Sequence, residues 1–226
     1  MGDENIDQTV LFKLLNVLVP KEMPSSGQEI AIMNLFAHQK TDGIYLFESS
    51  EIKEQLQMFQ PASFNDLVLL AALNKVNGAV LFDQILQNKN NGYDDFPYGS
   101  LLNSTYGVML YEDQYIEALK LSADLDEQVI AEMRDAMQQR KSNELAALIH
   151  VFAEGCTHNS DFRQDGNFAQ ALVRQVWFEL IEQSSFLVNR QQIINQVQIS
   201  WKLAWLKLQH PALFEELLSR QRGEMG

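Results

Sequence analysis

The sequence predicts a mainly α-helical fold with two short β-strands. Apolar residues recur at helical spacing in most segments of the chain, as in IDQTVLFKLLNVLV at 6–19. Capping residues often precede these segments, and Pro or Gly often follows them. Only two runs, GIYLF at 43–47 and TYGVMLY at 105–111, have the composition typical of strands. Helices are therefore expected to form most of the core.

The N-terminal half contains clear helix start signals. Helices are predicted over residues 6–19, 28–39, 50–59, 64–76 and 79–88. Ser49 or Ser50 can cap the third helix, and Pro61 closes it. Ser63 precedes Asp66 by three residues, which is the spacing of a capping box at the start of the fourth helix.

The C-terminal half continues the helical pattern. Helices are predicted over residues 112–122, 125–139, 142–157, 166–183 and 189–208, with another after Pro211. Residues 88–100 are rich in Asn, Asp, Gly and Pro, which favour turns. This stretch is either a linker between domains or a loop inside one domain.

Composition and charge exclude several classes of protein. The 226 residues are 46% hydrophobic and carry a net charge of −13, with a sequence pI near 4.7. Such acidity argues against a non-specific DNA-coating protein, which would need a basic face. We expect no membrane association, because no apolar run approaches the length that crosses a bilayer. The acidic N-terminus and single cysteine indicate a cytoplasmic protein without internal disulfides.

The acidic residues are concentrated toward the N-terminus. Residues 1–130 contain 7 Lys and Arg against 19 Asp and Glu, whereas residues 131–226 contain 10 against 11. A surface that meets phosphate is therefore expected in the C-terminal part, where Arg supplies bidentate donors. The alternative is that these arginines lie on ordinary solvated helix faces.

No catalytic, metal-binding or cofactor-binding motif stands out. The sequence lacks a phosphate-binding Gly-rich loop, a dinucleotide fingerprint and a nucleophile elbow, so we predict no cofactor. His150, Glu154, Cys156 and His158 lie near one another in sequence, but their spacing does not fit an ordinary zinc site. A helix end with a buried thiol is the simpler interpretation.

Trp201 and Trp205 lie one helical turn apart among apolar residues. Stacking on nucleic-acid bases is one use of such a pair. An apolar stripe packed into the core is the commoner use, and we predict it here.

Four segments of the chain share a resemblance to one protein family. They are GIYLFESSEIKEQLQMFQPASFNDLVLLAAL at 43–73, STYGVMLYEDQ at 104–114, EMRDAMQQRKSNELAALIHVFAEG at 132–155 and ISWKLAWLKLQHPALF at 199–214. In this order they resemble segments of the bacterial C-family replicative DNA polymerase, the alpha subunit of DNA polymerase III. The first is similar to the start of the family's fingers region. The other three are similar to its TYGV, RRAMGKK and SYQTAYLK segments. The resemblance implies a helical fingers-like domain.

The same resemblance implies what the chain lacks. The family's catalytic carboxylates lie in a palm domain upstream of the first matching segment, which here has only about 40 residues before it. Polymerisation needs clustered Asp residues to hold two Mg²⁺ ions. We therefore expect a palm-less chain with no catalytic residues that does not polymerise on its own.

The resemblance also implies that cationic side chains of the fingers contact nucleotide phosphates. The positions retained wholly or in part are the predicted nucleotide- or phosphate-binding residues: Lys75, Arg134, Arg140, Lys141, Asn189 and Arg190. Other matched positions have lost charge. Asp135 replaces a second Arg, Gln138 and Gln139 interrupt a Gly-Lys-Lys stretch, and Gln192 replaces a His. We predict that the retained cations converge on one surface.

Two domains are predicted, an N-terminal helical extension at 1–40 and a fingers-like helical domain at 41–226. The favoured function is a non-catalytic binding module related to DNA replication or repair. Its partners would be DNA or nucleotide at the C-terminal cations, or a replication or repair protein at the acidic N-terminal part. One alternative is the fingers portion of a split or longer DNA-directed DNA polymerase, and another is an unrelated acidic helical interaction protein.

Overall fold

A computed structural model describes residues 26–76, 78–94, 98–139, 141–164, 167–184 and 187–221. The predicted helix at 6–19 lies outside these ranges. Ten α-helices occupy the described residues: α1 Ser26–Ala37, α2 Ser50–Phe59, α3 Phe64–Lys75, α4 Ala79–Asn91, α5 Glu112–Ala123, α6 Glu127–Gln138, α7 Ser142–Cys156, α8 Gln170–Ser184, α9 Arg190–Gln209 and α10 Pro211–Gln221. Two 3₁₀ helices, Gly99–Thr105 and Ser160–Phe162, lie between them. The mainly helical prediction is confirmed. None of these helices has the length and apolar character needed to cross a bilayer.

Helix starts follow the predicted capping signals. The Ser49 side chain accepts a hydrogen bond from the backbone N–H of Ile52 at the start of α2. Ser63 Oγ accepts from the backbone N–H of Asp66 at 3.2 Å, and the Asp66 carboxylate accepts from Ser63 N–H at 3.0 Å. This reciprocal pair is the capping box predicted for α3, and it satisfies donors that the first helical turn leaves free.

The described residues form two compact units. The first contains the residues up to Asn74 together with those from Gln191 onward, and the second contains Lys75–Arg190. Residues 88–94 and 98–100 of the predicted linker or loop lie inside the second unit.

In the first unit, α3 is the central element. Its residues 67–73 are all buried, which is typical of a helix covered on every side. Trp201 of α9 stacks on Phe36 at a centroid distance of 6.4 Å and meets the edge of Phe64 at 5.6 Å. Trp205 is also buried, so the predicted core role of both tryptophans is confirmed.

The strand predicted at 43–47 is wrong. This segment forms consecutive turns, in which the N–H of Ile44 bonds to the carbonyl of Thr41 and that of Phe47 bonds to Ile44. Gly43 and Leu46 have positive φ, which an extended strand does not allow. The side chains of Ile44 and Phe47 are nevertheless fully buried. A short run of buried apolar residues has the same sequence pattern as a buried strand, which explains the wrong prediction.

The strand predicted at 105–111 is also wrong. Residues up to Thr105 are in a 3₁₀ helix, and Tyr106 and Gly107 both have positive φ. Only Tyr111 makes a β-bridge, in parallel with Val188. The two strands in the described ranges are instead the two-residue pair Arg163–Gln164 and Asn167–Phe168, which delays the start of α8 to Gln170.

In the second unit, helices α5 to α8 pack around one apolar core. Its largest members include Tyr115, Phe152 and Trp177, and the rings of the last two lie 5.2 Å apart. Gly155 near the end of α7 faces the end of α5. A Cβ added there would lie 2.1 Å from the carbonyl oxygen of Ala123. The two backbones therefore approach more closely than any side chain would permit.

Candidate functional site

The predicted phosphate-contacting residues lie on several elements. Lys75 is exposed in the last turn of α3, and Arg134 is half-buried on α6. Lys141 is exposed at the residue before α7. Asn189 is exposed just before α9, and Arg190 begins that helix. Arg140 lies outside the described residues.

Arg190 is fixed against the start of α5. Its guanidinium carbon lies 4.2 Å from the centroid of the Tyr111 ring, a cation–π contact. Its Nε lies 3.1 Å from an Asp113 carboxylate oxygen, but the buried Nε–H is not directed at a hydrogen-bond acceptor. The contact is therefore an ion pair without a hydrogen bond from Nε.

Two backbone hydrogen bonds position the contact between Arg190 and Tyr111. The N–H of Val188 donates to Leu110 at 3.0 Å, and the N–H of Glu112 donates to Val188 at 3.1 Å. These two bonds join the chain before α9 to the start of α5. Burial raises the pKa of the Tyr111 hydroxyl above its ordinary value, while the positive charge of Arg190 acts in the opposite direction. Tyr111 thus presents a neutral aromatic face to the guanidinium.

The Gln114 side chain stabilises the residues just before α5 by hydrogen bonds. Its side-chain oxygen accepts hydrogen bonds from the backbone N–H groups of Leu110 and Tyr111, both at 3.1 Å. Its side-chain nitrogen donates to the Thr105 hydroxyl at 2.8 Å. Gln114 is fully buried, so these bonds replace water that cannot reach the loop. The glutamine of the STYGVMLYEDQ segment is therefore a structural residue, a role that the sequence analysis did not assign.

Arg134 and Lys141 flank the connection between α6 and α7. Arg134 Nε lies 3.9 Å from an oxygen of Asp135, and Lys141 Nζ lies 3.3 Å from an oxygen of Glu144. The backbone N–H of Lys141 bonds to the carbonyl of Ala136 at 2.9 Å, which closes the turn between the helices. Convergence of these cations with Arg190 on one surface stays a prediction.

The second unit, which carries all of these positions, is strongly acidic. Residues 75–190 contain 9 Lys and Arg against 17 Asp and Glu. The near-neutral balance of residues 131–226 therefore does not describe a folded surface. The second unit combines residues 131–190 with residues 75–130, which contain 3 Lys and Arg against 9 Asp and Glu. The net negative charge of this unit therefore repels phosphate.

The cysteine and histidine positions do not form a second site. Cys156 is fully buried, and burial raises the pKa of its thiol to about 12. A neutral, enclosed thiol is a poor nucleophile and a poor metal ligand. Across the described ranges, no three His, Cys, Asp or Glu side chains are grouped so that they could hold a metal ion.

Comparison with known proteins identifies the family. The family model of the bacterial DNA polymerase III alpha subunit finger domain matches residues 14–160, which is more than half of the chain. The chain belongs to this family. The match includes α1 to α7 and the positions of Lys75, Arg134, Arg140 and Lys141, and it ends before Asn189 and Arg190.

Full polymerase subunits are similar to this chain over a limited region. DNA polymerase III subunit alpha of Aquifex aeolicus is 24% identical over 81% of this chain and 16% of its own length. That of Vibrio cholerae is 26% identical over 77% and 15%, and that of Haemophilus influenzae is 25% identical over 87% and 17%. The chain therefore spans about a sixth of the length of the curated relatives that it matches.

Proposed function

We propose that this chain is a non-catalytic fingers module that acts in DNA replication or repair by binding a protein partner rather than nucleic acid. The observation that carries the proposal is the pairing of Arg134, Lys141 and Arg190, each of which has a carboxylate within 4 Å. Lys75 has no carboxylate within 4 Å among the residues that the structure describes. The fingers fold is kept, while three of the cationic side chains that would hold nucleotide phosphates are paired with acids of the same chain.

A carboxylate within 4 Å offsets much of the local field of a cation in solution. Salt does not screen the two charges from each other, because the screening length at physiological ionic strength is about 8 Å. A phosphate would have to displace that carboxylate or lie beside it. The negative charge of the surrounding unit adds to this obstacle.

The non-catalytic part of the proposal follows from the resemblance. Nucleotide addition uses carboxylates that hold two metal ions on the phosphates and the primer oxygen. The resemblance assigns such carboxylates to a palm domain and not to the fingers region that this chain matches.

A second candidate function is the fingers portion of a split or longer DNA polymerase. It is favoured by the alignment with about a sixth of each relative's length. It is also favoured by Lys75, which makes no ion pair with the described residues. In that case a palm on another polypeptide or segment would supply the metal ions, and the fingers would contact nucleotide and template.

Binding of a labelled primer-template duplex distinguishes the two functions. We measure fluorescence anisotropy at about 50 mM and about 200 mM salt, with and without a deoxynucleoside triphosphate. The proposal predicts no saturable binding up to about 100 µM protein even at the lower salt. Micromolar binding that weakens steeply with salt would contradict it and would favour the polymerase-fingers alternative.

A further inference from the structure

The second unit has an open groove that the phosphate-contacting positions do not explain. Its volume is about 720 Å³, and its walls come from the 3₁₀ helix Gly99–Thr105, the end of α5, and the end of α7 with the residues after it. The described members of the predicted phosphate site do not line it. The groove is therefore a separate surface of the same unit.

The wall of the groove is firmly built. The Asn159 side chain donates hydrogen bonds to the carbonyls of Leu121 and Ser122, at 2.8 and 3.1 Å. Its side-chain oxygen accepts from the backbone N–H of Asp161 at 2.9 Å. Close approach of Gly155 to the backbone of Ala123 joins the two helix ends directly. A partner would therefore meet a preformed surface, which lowers the ordering cost of binding.

The electrostatics of the groove favour a cation. Both α5 and α7 end at this groove, and helix C-termini carry partial negative charge. Asp124 and Asp161 line it, and neither makes an ion pair within the part of the chain that the structure describes. Lys120 also lines the groove, but its Nζ lies 3.7 Å from a Glu127 oxygen, which offsets its charge.

The groove also offers an apolar contact. Leu121 is 48% exposed and supplies an aliphatic surface to the groove. Leu101 is partly buried beside it, and the buried ring of Tyr98 contributes to the lining. Arginine has the matching chemistry, since its aliphatic stem packs on apolar surface while its guanidinium binds carboxylates.

We infer that this groove binds an arginine-bearing basic segment of a partner protein. The stem of the arginine packs on Leu121, and its guanidinium pairs with Asp124 and Asp161. The acidity of the unit, with 9 Lys and Arg against 17 Asp and Glu, complements such a segment and repels nucleic acid. The inference rests on the proposed function only in treating the chain as a binding module, and it names the class of partner.

Anisotropy of a short labelled peptide with arginines on both sides of a leucine tests this inference. The full chain is titrated against this peptide and against the same peptide with glutamine in place of arginine. We expect binding of the arginine peptide alone. Asp124→Asn with Asp161→Asn should weaken it about fivefold, because exposed ion pairs make small individual contributions to affinity. Leu121→Ser should weaken it by about the same factor through lost apolar contact.

Asp83→Asn with Glu54→Gln is the matched control, because it removes the same charge from exposed residues that do not line the groove. This control should bind as the unchanged chain does. An equal loss in the control and groove variants would overturn the inference, since the attraction would then come from net charge alone. Peptide binding that Leu121→Ser leaves unchanged would also overturn it. The duplex titration measures binding of DNA, whereas the peptide titration measures binding at the groove. The proposed function and the groove inference can therefore fail independently.

Discussion

Replacement of Gln114 by leucine is expected to lower the free energy of unfolding by about 3 kcal/mol or more. Leucine has a similar volume but accepts no hydrogen bond. The backbone N–H groups of Leu110 and Tyr111 would lose their shared acceptor in a region that water does not reach. Each buried donor left unsatisfied costs about 1–3 kcal/mol, and the Thr105 hydroxyl would lose its donor as well.

Urea unfolding followed by circular dichroism measures this change. Gln84→Leu is the matched control, because Gln84 is exposed on α4 and the same substitution there should change stability by less than about 0.5 kcal/mol. If the Gln114 and Gln84 variants unfolded at the same urea concentration, the Gln114 network would not support the start of α5.

Gly155→Ala should lower the free energy of unfolding by about 1–3 kcal/mol, because it overpacks a backbone contact. The added Cβ would lie 2.1 Å from the Ala123 carbonyl oxygen and 2.9 Å from the Ala123 Cβ. A backbone oxygen cannot rotate away as a side chain can, so α5 and α7 would have to separate. The groove formed where they end should then lose its shape.

Gly27→Ala provides the comparison for that prediction. Gly27 lies in the first turn of α1, and among the described residues a Cβ there meets no neighbouring atom within 4 Å. Alanine favours the helix over glycine, so stability should stay the same or rise slightly. Thermal unfolding of both variants decides the matter. Equal midpoints for the two alanine variants would mean that the close approach at Gly155 is not limiting.

The sequence predicted those features of the fold that depend on neighbouring residues. Ser49 and the Ser63–Asp66 pair are read correctly as helix starts because each cap bonds within three or four residues. The resemblance of four ordered segments identified the family. Most helix bounds differ from the prediction by a few residues.

The errors came from contacts that are distant in sequence. The turns at 43–47 are held by α9, where Ser200 donates to the carbonyl of Tyr45 and Lys207 donates to those of Lys40 and Asp42. No local pattern in the segment reveals these partners. Its apolar run is equally compatible with a buried strand.

The candidate site was predictable in residue type but not in charge balance. The Asp135 substitution was visible in the sequence, and the spacing of Glu144 three residues after Lys141 is also a readable signal for an ion pair. The pairing of Arg190 with Asp113 was not, because 76 residues separate them along the chain. Asp113 and Arg190 come together only in the folded chain.

Neutralising the three acids of the ion pairs together tests whether they keep Arg134, Lys141 and Arg190 from binding phosphate. The variant carries Asp113→Asn, Asp135→Asn and Glu144→Gln, and circular dichroism verifies its fold. The account predicts that this variant gains binding of the primer-template duplex, with a log–log salt slope of about −2 to −3 for three released cations.

A control with Asp83→Asn, Glu117→Gln and Glu154→Gln loses the same charge from exposed residues of the second unit. The account predicts that this control, like the unchanged chain, does not bind the duplex. Binding that is equal in the two triple variants would contradict the account, because net charge would then explain it. Failure of the folded Asp113→Asn, Asp135→Asn, Glu144→Gln variant to bind the duplex would also contradict this explanation. The cations would then not form a phosphate-binding surface even without their acidic partners.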